Sequence, residues 1–371
     1  MSTESALPIS SVTTHLKRTD LRRMMHLVRL LFKLSQSTAY RDMVAPQLPE
    51  SARFDPGHAS LMMGYDFHLT ASGPKLIEVN TNAGGAYLAW CSEQKAGAVS
   101  AYNMALRYKQ RLLKSFIQEW TDFSNGNSSL SRIAIVDEEP HNQPLYSEML
   151  ACCNWLCEQG YDARVAAPQE LRLRADGLYL QDDKIDLIYN RHCDFFLEDE
   201  VMADICSAYL NGTVCLSPNP FAYGLLADKR RMILWSDSEV MTGLGVANED
   251  VELLAAVVPH SRLLRDCAED ELWAERKGLI FKPVTRFGSR GVLLGKGITR
   301  KRFAELDPET TLVQTVVPPS VENGEGGQDF KVDLRLFVYR DNLLGIGARL
   351  YQGQVTNLRT EGGGFAPVIL V

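Results

Sequence analysis

The sequence has no apolar run approaching the roughly 20 residues that cross a bilayer, and Met1 to Ser10 shows no charged segment followed by an apolar one. Neither a membrane span nor a secretory leader is expected, and the expected compartment is the cytoplasm. Positive charge is in deficit too: 39 Lys and Arg against 46 Asp and Glu leave a net charge of -7. Nucleic acid is a poor partner for such a surface, because phosphate backbones attract basic proteins. The eight cysteines include no CxxC pair and fit no zinc spacing. Cys153 and Cys157, four apart in a helix-like stretch, read as small buried apolar side chains. Two nucleotide signatures are also missing. No GxGxxG follows the first strand of the middle region, and Gly295-Lys296-Gly297 lacks the spacing of a Walker loop.

The 371 residues, 45% hydrophobic and 23% charged, suffice for two or three domains with proper cores. The expected class is α/β (α+β), with regions at 1–128, 129–216 and 217–371. From Thr19 to about Ser35, Leu21, Met24, Met25, Val28, Leu31 and Phe32 recur with helical period, which predicts an amphipathic helix against a core. Glu93 to Trp120 reads helical again, and Ser124 to Ser129 is a polar, turn-forming linker. Arg132 to Asp137, Tyr146 to Gly160 and Tyr161 to Ala166 read as strand, helix and strand, a βαβ unit. Asp176-Gly177 suits a tight hairpin turn. A further strand ends at Tyr189-Asn190-Arg191, where Arg191 either binds a substrate carboxylate or pairs with Asp194 or Asp186.

The chemistry begins earlier, at Gly64 to Leu69 and Lys75 to Asn82, two strands joined through Gly73-Pro74. Side chains alternate in a strand, so Glu78 and Asn80 point the same way, with Ile77 and Val79 on the apolar face. Asp66 on the partner strand joins them. Carboxylate and amide oxygens on one face are what Mg²⁺ accepts when it also holds substrate phosphates.

Near the carboxyl end, Leu279 to Pro283 is an apolar strand carrying Lys282, followed by a loop containing Arg286, Gly288, Ser289 and Gly291. A strand lysine beside such a loop suits phosphate, since backbone N–H groups approach closely where there is no side chain. Ordinary hairpin glycines explain the loop equally well when it is taken alone. Asp329 to Val338 alternates with period two and puts Lys331, Asp333 and Arg335 on one face, as a site or as a solvated surface. Arg349, Asn357, Arg359 and the triple glycine Gly362-Gly363-Gly364 follow.

In order, Asp228-Lys229, Lys282-Pro283 with its loop, Val313 to Val317, Asp333-x-Arg335, Arg349 and Asn357 before the glycines resemble the ATP-grasp superfamily. The usual acidic E-x-N element comes late in that family, whereas here Asp66 to Asn80 precedes the ATP-binding segments. That order resembles the circularly permuted, eukaryotic-type glutathione synthetases, whose Ile-Glu-x-Asn-Thr motif is similar to Ile77-Glu78-Val79-Asn80-Thr81. Leu358-Arg359-Thr360 is similar as well. The likeness covers roughly residues 60 to 90 and 185 to 371. It departs at Arg286, where the family has a metal-binding glutamate, at Gly64, where it has arginine, and at Glu361, where it has lysine, positions that in the family touch the substrate and the third metal contact and so count against glutathione synthesis itself.

The resemblance implies an ATP-grasp fold with a permuted metal-binding hairpin, a small βαβ substrate domain and N-terminal helices. It implies ATP and Mg²⁺ as cofactors and a carboxylate–amine ligation through an acylphosphate. Asp66, Glu78 and Asn80 would hold Mg²⁺. Lys229, Lys282, Gly288, Ser289, Gly291, Gln314, Val316, Lys331, Asn357 and Gly363 would bind the nucleotide, with Gln314 to Val317 lining the adenine slot through backbone groups. Arg335 would steady the transferring phosphoryl group, and Arg349 and Arg359 the carboxylate or the tetrahedral oxyanion. The partners implied are a small carboxylate and an amine, an amino acid or peptide, and a homodimer is compatible with the chain. A phosphotransferase on the same scaffold, or a nucleotide-binding protein without catalysis, are the alternatives.

Overall fold

A computed structural model describes residues 8–95, 104–284, 291–324, 327–357 and 359–371. The sheet that organises the molecule joins the two ends of the chain. Its order runs from Gly364–Ala366 through Asn342–Tyr351 and Asp329–Tyr339 to Met63–Thr70 and Gly73–Asn80. The early hairpin therefore completes a sheet built from C-terminal strands, all of them antiparallel neighbours. Inward-facing Tyr65, Phe67, Leu334, Leu336 and Leu350 share one core with Met24, Val28 and Leu31 of the helix Arg18–Ser35. That helix buries the periodic face expected of it, starting one residue before Thr19.

One register detail differs from simple alternation. Asp66 pairs with Glu78 but Phe67 pairs with Leu76, so Ile77 is the extra residue of a β-bulge. Leu76 and Val79, rather than Ile77 and Val79, enter the core. The Ile77 carbonyl is turned to accept a hydrogen bond from Lys282 Nζ at 3.2 Å.

Lys282 belongs to a second antiparallel sheet, ordered Ser261–Leu263, Thr311–Thr315, Leu279–Pro283, Leu293–Leu294. The expected βαβ unit forms Arg132–Val136, Tyr146–Glu158 and Asp162–Ala166, within a parallel sheet that adds Leu187–Asn190 and Cys215–Ser217. Leu171–Arg174 and Gly177–Leu180 flank Asp176 as the expected hairpin. Within the helical reading of Glu93 to Trp120, the helices Ala86–Lys95 and Met104–Phe123 are described, and 96–103 lie outside the described residues. Cys153 and Cys157 differ from the reading of buried apolar side chains: Cys157 is exposed, Cys153 is half-buried, and both thiols donate to the Ala163 carbonyl. Among the described residues, no helix is long and apolar enough to cross a membrane.

Candidate functional site

Strand register places the chemistry. Arg335 stands opposite Asp66, which stands opposite Glu78, while Asp333 stands opposite Arg349 on the next strand. Arg335 clasps Asp66 in a fork, Nε to Oδ1 and Nη2 to Oδ2, both at 2.6 Å. Arg349 Nη2 donates to Asp66 Oδ2 at 2.8 Å and to Asp333 Oδ2. Asn80 Nδ2 lies 3.3 Å from both Asp66 Oδ2 and Glu78 Oε1. The three hairpin side chains thus converge, but Asp66 is fully buried and both its oxygens are held by guanidinium groups. In this arrangement it orients the arginines, and Glu78 and Asn80 are the more open donors.

Gly64 permits the clasp. A Cβ there would lie 2.6 Å from Ala83 Cβ and 3.2 Å from the Arg335 side chain. An arginine at position 64 has no room beside Arg335.

Burial alone would raise the Asp66 carboxyl, yet the charges of Arg335 and Arg349 hold it well below the usual carboxylate range. Asp333 goes the other way: burial and the neighbouring Asp66 charge outweigh Arg349 and push it up to about 6. Its Oδ2 accepts from Thr356 Oγ1 at 3.0 Å. Its Oδ1 is buried with no hydrogen-bond partner among the described residues. Asp333 is a functional candidate that the alternation showed on the right face and that no role was given. A hard cation suits this oxygen together with Glu78 and Asn80. Among the described residues, no three His, Cys, Asp or Glu side chains form a ready-made metal cage.

The second sheet supplies the facing cation. Lys282 is buried, and desolvation together with Lys229 outweighs Glu78 to bring its ammonium down to about 8. Its Nζ donates to Gln314 Oε1 at 2.7 Å, and Gln314 in turn donates to Ser261 Oγ. The Gln314 side chain therefore orients Lys282, and the Val316 N–H is engaged with the Gly278 carbonyl at 2.9 Å. Lys229 follows the π-helical turn Tyr223–Ala227 and shares a narrow cleft with Glu78 and Lys282. Its neighbour Asp228 is pinned by Arg230 Nε at 2.9 and 3.0 Å.

His68 was missed, although it sits two residues beyond Asp66 on the same strand face. Its Nδ1 is 2.8 Å from the Val317 carbonyl, which ties the hairpin to the end of the Thr311–Thr315 segment. Burial lowers it to about 4, so Nδ1 carries a proton and donates to that carbonyl while the ring stays neutral near pH 7.

Other expected site residues have partners of their own. Lys331 Nζ bonds the Gly353 carbonyl. Asn357 organises its own turn, its Oδ1 accepting from the N–H groups of Arg359 and Thr360. Arg359 is exposed. Gly363 is obligatory for packing, since a Cβ would sit 2.5 Å from the Leu350 carbonyl oxygen. Gly364 has φ +107° and would place a Cβ 2.2 Å from the Pro8 carbonyl oxygen. Gly291, at φ +75°, is in a turn conformation that favours glycine. Arg286, Gly288 and Ser289 lie outside the described residues. Arg191 pairs with neither Asp194 nor Asp186. It faces Glu148 at 3.4 Å, and Glu148 accepts from the N–H groups of Gly85 and Tyr87 just beyond the hairpin.

The chain resembles two solved structures over nearly its whole length. One is a glutathione synthetase-like effector from Globodera pallida, with a TM-score of 0.63 and 12% identity over 98% of this chain and 90% of that one. The other is a protein assigned as a gamma-glutamylcysteine synthetase from Methylobacillus flagellatus, with a TM-score of 0.53 and 11% identity over 95% and 89%. No family model matches the sequence, and no curated protein does. The chain therefore shares its fold with these two structures.

Proposed function

We propose that this protein is an ATP- and Mg²⁺-dependent carboxylate–amine ligase of the cytoplasm, joining an acid to an amino acid or peptide amine through an acylphosphate. The observation that carries the reading is the charge balance of the cluster. Four cations, Arg335, Arg349, Lys282 and Lys229, converge on three carboxylates, Asp66, Glu78 and Asp333. A buried site with surplus positive charge favours a polyanion, and a triphosphate meets that need.

When bound, Mg²⁺ would neutralise charge that develops on the phosphates; Glu78, Asn80 and Asp333 would hold it. The residues of the chain do the rest by positioning and electrostatics. Lys282 and Lys229 neutralise the phosphates, Lys282 aimed by Gln314. Arg335, fixed by its fork to Asp66, faces the phosphoryl group as a substrate carboxylate oxygen bonds to phosphorus and ADP leaves. Arg349, held between Asp66 and Asp333, is placed to stabilise the oxyanion formed when the amine attacks the acyl carbon and phosphate departs.

The test is an ADP-release assay with amino acids and small peptides supplied as acid alone, amine alone and both, with mass analysis of the product. ADP formation that needs both, with an amide as product, is expected. Glu78→Ala should abolish it at any Mg²⁺ concentration; undiminished turnover by that variant would remove the metal assignment. A stable phosphorylated product formed without amine would select a phosphotransferase.

A further inference from the structure

A cavity of about 450 Å³ opens between the helix Arg18–Ser35, the segment 55–60 and the turn that precedes Asp228. Met63 lines it. Alternation along Met63–Thr70 puts Met63 on the other side of the strand from Gly64 and Asp66, so this space is separate from the Arg335–Asp66 cluster. Its size is that of a small-molecule site, about 300 to 1,000 Å³.

The walls are of two kinds. Phe32, Phe221 and Leu226 are apolar. Around them stand two arginine–aspartate pairs. Arg41 Nη1 donates to Asp55 Oδ2 at 2.9 Å, its Nε donates to the Ser35 carbonyl at 2.7 Å, and its guanidinium lies 5.0 Å from the Phe221 ring centroid. Arg340 Nη2 bonds the Asp122 carboxylate, while its Nε is buried with no hydrogen-bond partner among the described residues. Arg340 also occupies φ +56° in the tight turn between Tyr339 and Asn342, where asparagine or glycine is the favoured residue. Such a placement costs of order 1 kcal/mol or more, so the turn does not select this side chain.

We propose that this cavity is a second small-molecule site, taking a zwitterionic α-amino acid or dipeptide with an apolar side chain and relaying its occupancy to Lys229. Each arginine is already neutralised by its own aspartate. A simple anion would meet the aspartates and a simple cation the arginines, whereas a zwitterion gives its carboxylate to a guanidinium and its ammonium to a carboxylate without changing the net charge. The Arg41 and Arg340 guanidinium groups, both of which line the cavity, are the donors such a carboxylate would take, and the apolar walls accept the side chain. The relay is short. Leu226 belongs to the π-helical turn Tyr223–Ala227 that ends at Asp228-Lys229, and Leu225 of the same turn is held through its carbonyl by Tyr40 Oη at 2.8 Å. An occupant packed on this turn fixes the approach of Lys229; only this relay rests on the nucleotide role proposed for Lys229.

Calorimetric titration of the full chain with L-leucine, L-phenylalanine and leucyl-leucine tests the site without turnover. At least one should bind, and its N-acetylated and amidated forms should bind about tenfold more weakly or worse, each having lost a charge-assisted hydrogen bond. Arg340→Gly keeps the turn, because glycine accepts positive φ, and should weaken binding about tenfold; Leu226→Trp fills the cavity and should abolish it. Circular dichroism of both variants should match the parent. No binding by any of the three probes, equal binding of the blocked forms, or binding that survives both variants would overturn the site. Mg-ATP affinity of the parent protein should shift about fivefold or more when the bound probe occupies the cavity; occupancy with no shift would overturn the relay.

Discussion

Replacing Asp66 by asparagine removes the charge around which the site is arranged. Asp66 accepts three guanidinium hydrogen bonds at 2.6, 2.6 and 2.8 Å, and it is buried. Without its charge, Arg349 retains Asp333, whose carboxyl ionises more readily once the like charge of Asp66 is gone. Among the described residues, Arg335 then retains a neutral partner alone, the Gly84 carbonyl at 3.1 Å. One buried guanidinium is then unbalanced, and breaking a buried ion pair by removing one partner costs about 3 to 5 kcal/mol. In a chain of this size that corresponds to a fall in Tm of roughly 4 to 6 °C. The assay is thermal unfolding of parent and Asp66→Asn at pH 7, with and without saturating Mg-ATP. Because a polyanion restores charge balance, nucleotide should raise the Tm of the variant more than that of the parent. A Tm within about 1 °C of the parent, or a smaller nucleotide-induced gain in the variant, would refute the reasoning that Asp66 holds the arginines against their own desolvation.

Lys282→Met should separate stability from function: the parent ammonium is lowered to about 8, so its charge opposes folding at pH 7, and that cost is relieved as pH rises from about 8 to 10.5. The variant should unfold at an equal or higher temperature at pH 7 while Mg-ATP affinity, read by calorimetry, falls about 30-fold or more. For His68, lowered from 6.5 to about 4, the neutral ring is the folded form, so stability is intact above pH 6.5 and is lost as pH falls from 6.5 to 4. His68→Gln should flatten that acid slope, worth up to about 3 kcal/mol, in denaturant titrations at successive pH values. Gly363→Ala should cost about 1 to 3 kcal/mol by urea unfolding, because its Cβ meets the Leu350 carbonyl oxygen at 2.5 Å rather than a movable side-chain end.

Strand alternation made much of this site legible. Asp66, Glu78, Asn80, Asp333 and Arg335 were placed on shared faces by period two, and the register that aligns them follows from antiparallel pairing of the two ends of the chain. The ordered motifs carried the fold, and the βαβ unit was readable from its apolar runs and turn residues. Three things were not legible, each for a physical reason. The bulge at Ile77 depends on the neighbouring strand, and alternation cannot announce an extra residue. The clasp of Asp66 by two arginines depends on side chains from residues 335 and 349, some 270 positions away, and it turns an apparent open ligand into an orienting group. The need for the triple glycine depends on what packs against it: Gly363 and Gly364 are required where the chain passes against the Leu350 and Pro8 carbonyl oxygens.

The most direct test of the ligase reading is the fate of a carboxylate oxygen. The acid of the pair that supports ADP release is supplied with heavy oxygen in its carboxylate, and the released phosphate is examined by mass spectrometry. An acylphosphate route predicts that one labelled oxygen passes into phosphate for each amide formed. Unlabelled phosphate alongside amide, or ADP released with no dependence on acid and amine, would contradict it.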